Sequence, residues 1–284
     1  MFKITLENEY GKKLVFNEIN SPFTIVEMDG LNPPEATINT SINANLDGGK
    51  FNSSKVNMRS LNIIIAITKN AEQSRLKLYS VLKIKKYIKM YYESPLRDVY
   101  IEGYIEAMPI SHFENPQKMT LSILCPQPYF KCAQEIINEA STVKPMLHFP
   151  FATVKEKPVP FSYTEIVSVF NIANDGDVET GLIIELYARN TVNNPKIFNY
   201  KTSEFFGVNF NMQAGDVIEI NTNKGQKSIR LLREGNYTNL FRNRMKGSTW
   251  FELLADENIF TFEAEYGVDN LLVSFKHYNL YEGV

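Results

Sequence analysis

The sequence predicts a mainly β protein with one or two short helices, and a β-sandwich in its second half. Apolar and polar residues alternate with period two along residues 260–266 and again along 271–276, which is typical of strands that bury one face. Other runs are rich in β-branched and aromatic residues, and breaks containing Asn, Gly or Asp separate them at roughly regular spacing, as in a sandwich. These other expected strands are residues 165–172, 181–188, 203–211, 216–222 and 226–232.

The first half combines strands with one helix. A helix is expected from residue 71 to about residue 83, with Asn70 as its capping residue. Its apolar residues Leu78, Val81 and Leu82 share one face. The expected strands of this half are residues 2–6, 13–16, 24–28, 37–46, 56–67, 87–92, 99–108 and 118–125.

A proline-rich segment, residues 127–160, separates the two halves. Proline removes a backbone donor and fixes φ, so this segment is expected to cross between domains rather than to lie inside a sheet. A short second helix is possible at residues 133–140. We therefore expect an N-terminal domain at residues 1–140 and a C-terminal β-sandwich at residues 141–284.

Composition excludes several classes of protein. Thirty Lys plus Arg against 32 Asp plus Glu give a net charge of −2, which does not favour a duplex-binding protein. Cys125 and Cys132 are expected to be unpaired thiols, since their spacing matches neither a zinc knuckle nor a redox pair. No signal peptide or membrane-spanning run is visible, so we expect a soluble protein that folds in a cytoplasm and does not insert into membranes.

No catalytic, cofactor-binding or metal-binding signature is found. The zinc-protease, nucleophile-elbow, phosphate-loop and dinucleotide motifs are all missing from the sequence. His112 is expected in a bend, His148 lies in the proline-rich segment, and His277 has the parity of buried strand residues. We predict that this protein is not an enzyme and that these histidines are structural.

Residues 37–57 predict a long hairpin whose turn is Asp47-Gly48-Gly49. Its arms are rich in Asn, Ser and Lys, and a polar ribbon of this kind is only marginally stable alone in water. It should therefore lie against something larger. Two alternatives remain open, which are the sheet of its own domain and a neighbouring subunit.

Trp250 is the one tryptophan of the chain. In a sandwich it is expected to anchor the core or its rim. The alternative is a platform that stacks on the apolar side of a sugar ring, which makes Trp250 a candidate glycan contact.

These features together resemble the distal tail proteins of long-tailed phages that infect Gram-positive bacteria. In the first half the likeness rests on residues 30–34, the following ribbon with its turn, Arg59, the helix and the strands that end at residues 125–130. In the second half it rests on residues 171–181, 250–253, Asn258, the alternating strand pair and residues 281–284. One departure is Ala255-Asp256, where a turn containing proline or glycine is expected.

The resemblance implies a ring-forming N-terminal domain and a C-terminal sandwich similar to galectins or carbohydrate-binding modules. It implies a non-enzymatic adaptor at the virion tail tip that is assembled in the host cytoplasm. The implied partners are five further copies in a homohexamer, the tail tube protein, the hub or tail-associated protein and receptor-binding proteins or fibres. The genome would pass through the bore without specific nucleic-acid binding. The implied ring-interface residues are Asn39, Asn43, Asp47, Gly48, Gly49 and Arg59.

An alternative function is binding of cell-surface glycan through the C-terminal sandwich, with Trp250 as the contact. The two functions differ in what a purified chain should do, because the adaptor self-associates whereas the glycan binder does not need to.

Overall fold

Burial alternates along most strands, which is the pattern that period two predicts. The computed structural model describes residues 2–16, 21–42, 47–139, 141–145, 162–166 and 169–284. Two units are distinguished by their internal contacts: unit 1 comprises residues 1–133 and 280–284, and unit 2 comprises residues 134–279. The prediction of a mainly β fold is confirmed, since one α-helix occurs among the described residues and strands form most of the rest.

Unit 1 begins with ten strands and the helix. They are β1 (Lys3–Asn8), β2 (Lys13–Phe16), β3 (Phe23–Asp29), β4 (Ala36–Ser41), β5 (Lys50–Val56), β6 (Arg59–Ile67), α1 (Ala71–Val81), β7 (Tyr87–Glu93), β8 (Asp98–Ala107), β9 (Gln117–Cys125) and β10 (Phe130–Cys132).

One antiparallel sheet organises unit 1, with the strand order β2-β1-β7-β8-β9-β6-β3 and with β10 paired to β8. Its inward side chains form a core of aliphatic residues that includes Leu6, Ile63 and Ile123. Helix α1 adds Leu78 and Leu82 to this core, and both are fully buried. Strands β4 and β5 pair only with each other among the described strands, so they stand apart from this sheet.

The helix shows one difference from the prediction. Leu78, Val81 and Leu82 are buried as expected, and the helix ends at Val81. Asn70 occupies the N-terminal flanking position, but its side chain makes no capping hydrogen bond. Its backbone is left-handed, with φ 46°, whereas a capping side chain normally extends from β-region backbone.

Unit 2 contains the remaining strands except the last. They are β11 (Ile136–Glu139), β12 (Ser141–Pro145), β13 (Ser162–Ile166), β14 (Val169–Asn174), β15 (Leu182–Ala188), β16 (Val192–Asn193), β17 (Lys196–Asn199), β18 (Glu204–Gly207), β19 (Asn211–Met212), β20 (Val217–Asn221), β21 (Ser228–Arg233), β22 (Asn236–Asn239), β23 (Asp256–Glu263) and β24 (Leu271–His277). Short 3₁₀ helices lie at Phe241–Asn243 and Val268–Asn270.

Two sheets of unit 2 share one core, which is the sandwich that the sequence predicts. Their strand orders are β11-β24-β15-β20-β21-β22 and β14-β23-β17-β18. Rings from the two sheets meet at the centre, where the Phe275 ring lies 4.8 Å from Phe170 and 5.1 Å from Phe260 between centroids. Such tilted aromatic contacts stabilise a core beyond the area that they bury.

The prediction of a short helix at residues 133–140 is wrong. Residues 136–139 form β11, which pairs antiparallel with β24. A segment of this length is too short for its helix propensity to decide its conformation, and the hydrogen bonds offered by the neighbouring strand outweigh it.

Asp256 forms the turn at residues 255–256, where the family resemblance predicts a proline or a glycine. It adopts the left-handed backbone usually taken by glycine, with φ 75°. The buried Asn258 side chain closes this turn, since it accepts a hydrogen bond from the Leu254 amide and donates to the carbonyls of Leu254 and Asp256. Asp and Asn therefore replace the expected proline or glycine.

The last strand, β25 (Leu280–Tyr281), belongs to unit 1, where it pairs with β10. The division of the chain thus differs from the expected domains, 1–140 and 141–284, at two places. Residues 134–139 join the sheet of unit 2, and residues 280–284 add to unit 1. Both segments are too short to carry a periodicity that would assign them to one domain.

Truncation of Phe275 should destabilise unit 2 selectively. Phe275→Ala is expected to lower the free energy of unfolding by about 3–5 kcal/mol, because it removes a fully buried ring from the centre of the core. Fluorescence of Trp250, which lies in unit 2, during urea unfolding measures this loss. The partly exposed Ile259→Ala is the control and should cost under about 1 kcal/mol; equal losses would contradict the assignment of the core.

Candidate assembly interface

The hairpin of β4 and β5 satisfies its polar face by itself. Asn39 Nδ2 donates to Ser53 Oγ at 3.0 Å, and Ser41 Oγ donates to Asn52 Oδ1 at 3.4 Å. At the base, Thr37 Oγ1 donates to Asn57 Oδ1 at 2.9 Å. These side chains therefore have partners within the ribbon.

The opposite face of the hairpin is apolar and exposed. Ile38, Phe51 and Ile42 are 63%, 60% and 80% exposed. The register places Phe51 on this face. Phe51 lies directly opposite Thr40, and Thr40 points to the same side as Ile38 and Ile42, two residues away on either side. Every residue of both strands is exposed in the chain.

A β-bulge decides which residues share this apolar face. The register shifts between Asn39 and Thr40, where one extra residue, Asn52, is inserted in β5. Without the shift, Phe51 would point to the same side as Asn39. The sequence alone does not assign Phe51 to this face, since a bulge leaves no periodic signal.

The exposure of both strands bears on the two alternatives for the hairpin. The described part of unit 1 does not cover the hairpin, so the alternative in which it packs on its own sheet is not supported. An exposed apolar stripe on a two-stranded ribbon is instead suited to a contact between chains.

The predicted interface residues fall in different environments. Asn39 lies on the polar face, and Asp47, Gly48 and Gly49 are exposed at the turn, where Gly48 has φ 86°. Asn43 lies outside the described residues. These positions therefore do not form one surface with the apolar stripe.

Arg59, the first residue of β6, is buried rather than exposed. Its side chain is 4% exposed, and the guanidinium carbon lies 4.7 Å from the centre of the Phe130 ring. It donates hydrogen bonds to the carbonyls of Gly30, Asn32, Pro128 and Glu282. Burial lowers the pKa of the guanidinium, although an arginine remains charged in proteins. Arg59 is thus engaged within its own chain.

Trp250 is half-buried between other side chains. Its ring lies 4.7 Å from the buried Phe206 and 5.7 Å from Phe241, and the Lys227 ammonium lies 5.8 Å from its centre. These contacts match an anchor at the rim of the core. The outer ring of the stack is Phe241, which is 46% exposed.

The described histidines and cysteines lie in different environments. No group of three or more His, Cys, Asp or Glu side chains in the part of the chain that the structure describes is arranged to hold a metal ion. His112 is exposed, with Nδ1 2.8 Å from Arg75 Nη1, and His148 lies outside the described residues. Neither cysteine forms a disulfide, and Cys125 is buried.

His277 is buried at the end of β24, as its parity predicts. Neither ring nitrogen has a partner with hydrogen-bond geometry. Burial lowers its pKa, and the nearby Asn279, Ala173 backbone and Asp175 only partly oppose this effect. Burial therefore favours the neutral form of His277 in the folded protein.

No helix in the described part of the chain is long and apolar enough to span a bilayer.

A protein-family model matches residues 175–278, most of unit 2. The family is described as siphovirus-type tail component, C-terminal domain. No curated protein sequence matches the chain at a significant level.

Solved structures similar to the whole chain come from phage tails. The crystal structure of the Dit protein of phage SPP1, described as a paradigm of the hub adsorption apparatus in phages infecting Gram-positive bacteria, has a TM-score of 0.68 at 14% identity and covers 98% of each chain. A chain of the phage P2 baseplate, activated with calcium, has a TM-score of 0.57 at 12% identity and covers 100% of each chain. The resemblance to distal tail proteins is thus confirmed, by a family model for unit 2 and by the fold for the whole chain.

The stability of unit 2 should fall as the pH decreases through the range of histidine titration. The unfolded chain binds a proton at His277 near pH 6.5, whereas the folded chain resists protonation because its pKa is lowered. The contribution of His277 is therefore fully present above pH 6.5 and is lost below it.

Thermal unfolding followed by Trp250 fluorescence, from about pH 7.5 to about pH 5.5, measures this dependence. His277→Gln should reduce the slope of the midpoint against pH, and His112→Gln should leave it unchanged. A slope that is the same in all three proteins would exclude His277 as its source.

Proposed function

We propose that this chain, whose C-terminal unit matches siphovirus-type tail components and whose fold is that of the Dit proteins, is the ring-forming structural adaptor at the distal end of a phage tail. Six copies form a closed ring that joins the tail tube to the hub, tail-associated and receptor-binding proteins. The fold of the whole chain is the observation that supports this proposal, because the similarity covers unit 1 as well as the sandwich.

The exposed face of the hairpin supports self-association. A ring of identical subunits needs a heterologous contact, in which one surface of a subunit meets a different surface of the next. The stripe of Ile38, Ile42 and Phe51 supplies one such surface, since these side chains are largely exposed in the single chain. A second copy of the chain would cover it.

The two faces of the ribbon have different roles in this proposal. The apolar stripe contributes the association free energy, because burial of large apolar side chains dominates binding at interface centres. The turn residues Asp47, Gly48 and Gly49 and the polar residue Asn39 lie at the rim of the contact. Arg59 contributes to the contact indirectly, through hydrogen bonds within its own chain, and does not touch the neighbouring copy.

The remaining partners follow from the position of the ring. One ring face meets the tail tube and the other meets the hub and receptor-binding proteins at the virion tail tip. The genome passes through the bore without sequence recognition, consistent with a chain of net charge −2. The role is structural and involves no catalytic step.

Glycan binding through unit 2 is the alternative. It has weaker support, because the half-buried Trp250 ring is tilted against Phe206 and stacked on Phe241, which suits an anchor at the rim of the core. Binding to cell-surface glycan that is lost in Phe241→Ala, in a chain that stays monomeric, would favour this alternative over the adaptor.

The purified chain should form rings. Light scattering is expected to give a mass of about 196 kDa, six times the 32.6 kDa of one chain. Negative-stain images should show annular particles with six-fold symmetry. A chain that remains monomeric both alone and with preformed tail tubes would overturn the proposal.

Polar substitution of the stripe should weaken the ring without unfolding the subunit. Ile38→Ser with Phe51→Ser is expected to raise the concentration for half-dissociation at least about 10-fold, since each large apolar contact at an interface contributes about 1–3 kcal/mol.

The thermal midpoint of the monomer should not change in this variant, because both side chains are exposed in the single chain. Thr37→Ser with Lys55→Ser, on the opposite face, is the matched control and should assemble as the parent does. Unchanged assembly in the Ile38→Ser, Phe51→Ser protein would exclude the stripe as the contact.

A further inference from the structure

We infer that Arg59 and residues 280–284 form a clasp that holds the base of the hairpin and thereby positions it for self-association. This inference rests on the proposed ring, and it assigns to the C-terminal segment a role in assembly through unit 1. The clasp is defined here as the Arg59 side chain, Arg97 and residues 280–284.

The chain enters the hairpin through residues 30–35, directly under the Arg59 guanidinium. Arg59 Nη1 donates to the Gly30 carbonyl and, at 2.6 Å, to the Asn32 carbonyl. Gly30 has φ 91°, and a Cβ there would overlap the Ser60 carbonyl oxygen, so this loop lies tightly against β6. The entry segment is therefore fixed from two sides.

The chain leaves the hairpin at Arg59 itself. Only Asn57 and Met58 separate β5 from β6, and the Asn57 amide donates to the Glu35 carbonyl at 2.9 Å. The Arg59 side chain thus connects the two segments, since its backbone lies where the chain leaves the hairpin and its guanidinium binds the segment where the chain enters.

The C-terminal segment completes the same network. Arg59 Nη2 donates to the Glu282 carbonyl at 2.5 Å, and the Val284 amide donates to the Leu31 carbonyl at 3.1 Å. Gly283 lies against Pro33 and Leu31 so closely that a Cβ would lie 3.1 Å from the Leu31 oxygen. Residues 282–284 therefore contact the hairpin entry directly.

Arg97 fastens the C-terminal segment to the sheet. Its guanidinium lies 4.5 Å from the centre of the Tyr281 ring and donates to the Gly283 carbonyl. Leu280 and Tyr281 also pair with Lys131 and Phe130 of β10. The segment is thus held by the sheet at one end and touches the hairpin base at the other.

The chemistry of this network requires arginine. A guanidinium presents five donors in a planar fork and can reach carbonyls in several directions, whereas the lysine ammonium is a compact point charge. The described contacts of Arg59 are to carbonyls on three separate segments, at 30–32, 128 and 282. Loss of one segment leaves a buried cationic donor without its acceptor, which is unfavourable.

Two spin labels test whether the clasp positions the hairpin. Nitroxides on Asp47→Cys at the turn and Lys77→Cys on α1 report the distance between the hairpin and the core of unit 1. Cys132→Ser removes the half-buried thiol; Cys125 is buried, and burial raises its pKa to about 12, which disfavours the thiolate that would take up the label. The labelled protein is diluted with unlabelled protein so that distances within one chain are measured.

The expected result is a narrow distance distribution that broadens at least about two-fold in Arg59→Lys and in a protein lacking residues 280–284. Light scattering of the same proteins should show at least about 10-fold weaker assembly, because a poorly oriented hairpin loses more freedom on binding. Arg75→Lys, on α1, is the matched control and should match the parent in both measurements.

A distance distribution that stays narrow in both variants would overturn the inference that the clasp positions the hairpin. If Arg59→Lys or the deletion unfolds unit 1, Gly283→Ala replaces it, since the atoms nearest to its added methyl group belong to Leu31 and Pro33; no broadening in that variant would also overturn the inference. A monomeric parent protein contradicts the proposed ring, but the distance measurement on that monomer still tests the clasp, so the two failures are distinguishable.

Discussion

The buried Arg59 side chain makes the contacts on which the edge of unit 1 depends. The Arg59 guanidinium is compensated by backbone carbonyls, one of them 223 residues away in the chain, and by the face of Phe130. Charge-assisted hydrogen bonds are stronger than neutral ones, and a buried charge is tolerated only when its donors are satisfied. The hairpin base, the turn before β10 and the C-terminal segment must therefore keep their places together.

The hairpin that this network holds is constrained in another way. Two strands alone cannot enclose a core, so an apolar side chain on either face is either exposed or covered by another body. Here the polar face forms hydrogen bonds across the ribbon, and the β-bulge places Phe51 on the other face, with Ile38 and Ile42. The two faces of the ribbon therefore differ in polarity, and the apolar face is the one that the proposed contact between copies would cover.

Unit 2 follows simpler rules. Its strands alternate buried and partly exposed residues, and the phenylalanine rings of both sheets meet in one core. Buried polar residues in this unit stabilise turns, as Asn258 does at the Asp256 turn. The buried Asp216, whose pKa is lowered by hydrogen bonds from Arg233, likewise ties the start of β20 to the end of β21.

The sequence by itself determined the mainly β fold, the sandwich of the second half, the buried face of the helix, the hairpin and the resemblance to distal tail proteins. The structural features rest on local spacing, which period-two strands, helix faces and glycine turns display along the chain, whereas the resemblance rests on likeness to a known family. Only the tertiary structure decided that Arg59 is buried, that Phe51 joins Ile38, that residues 136–139 are a strand and that residues 280–284 belong to unit 1. The physical reason is that these outcomes depend on hydrogen bonds between segments far apart in the chain, and on a one-residue register shift, neither of which leaves a periodic pattern in the sequence.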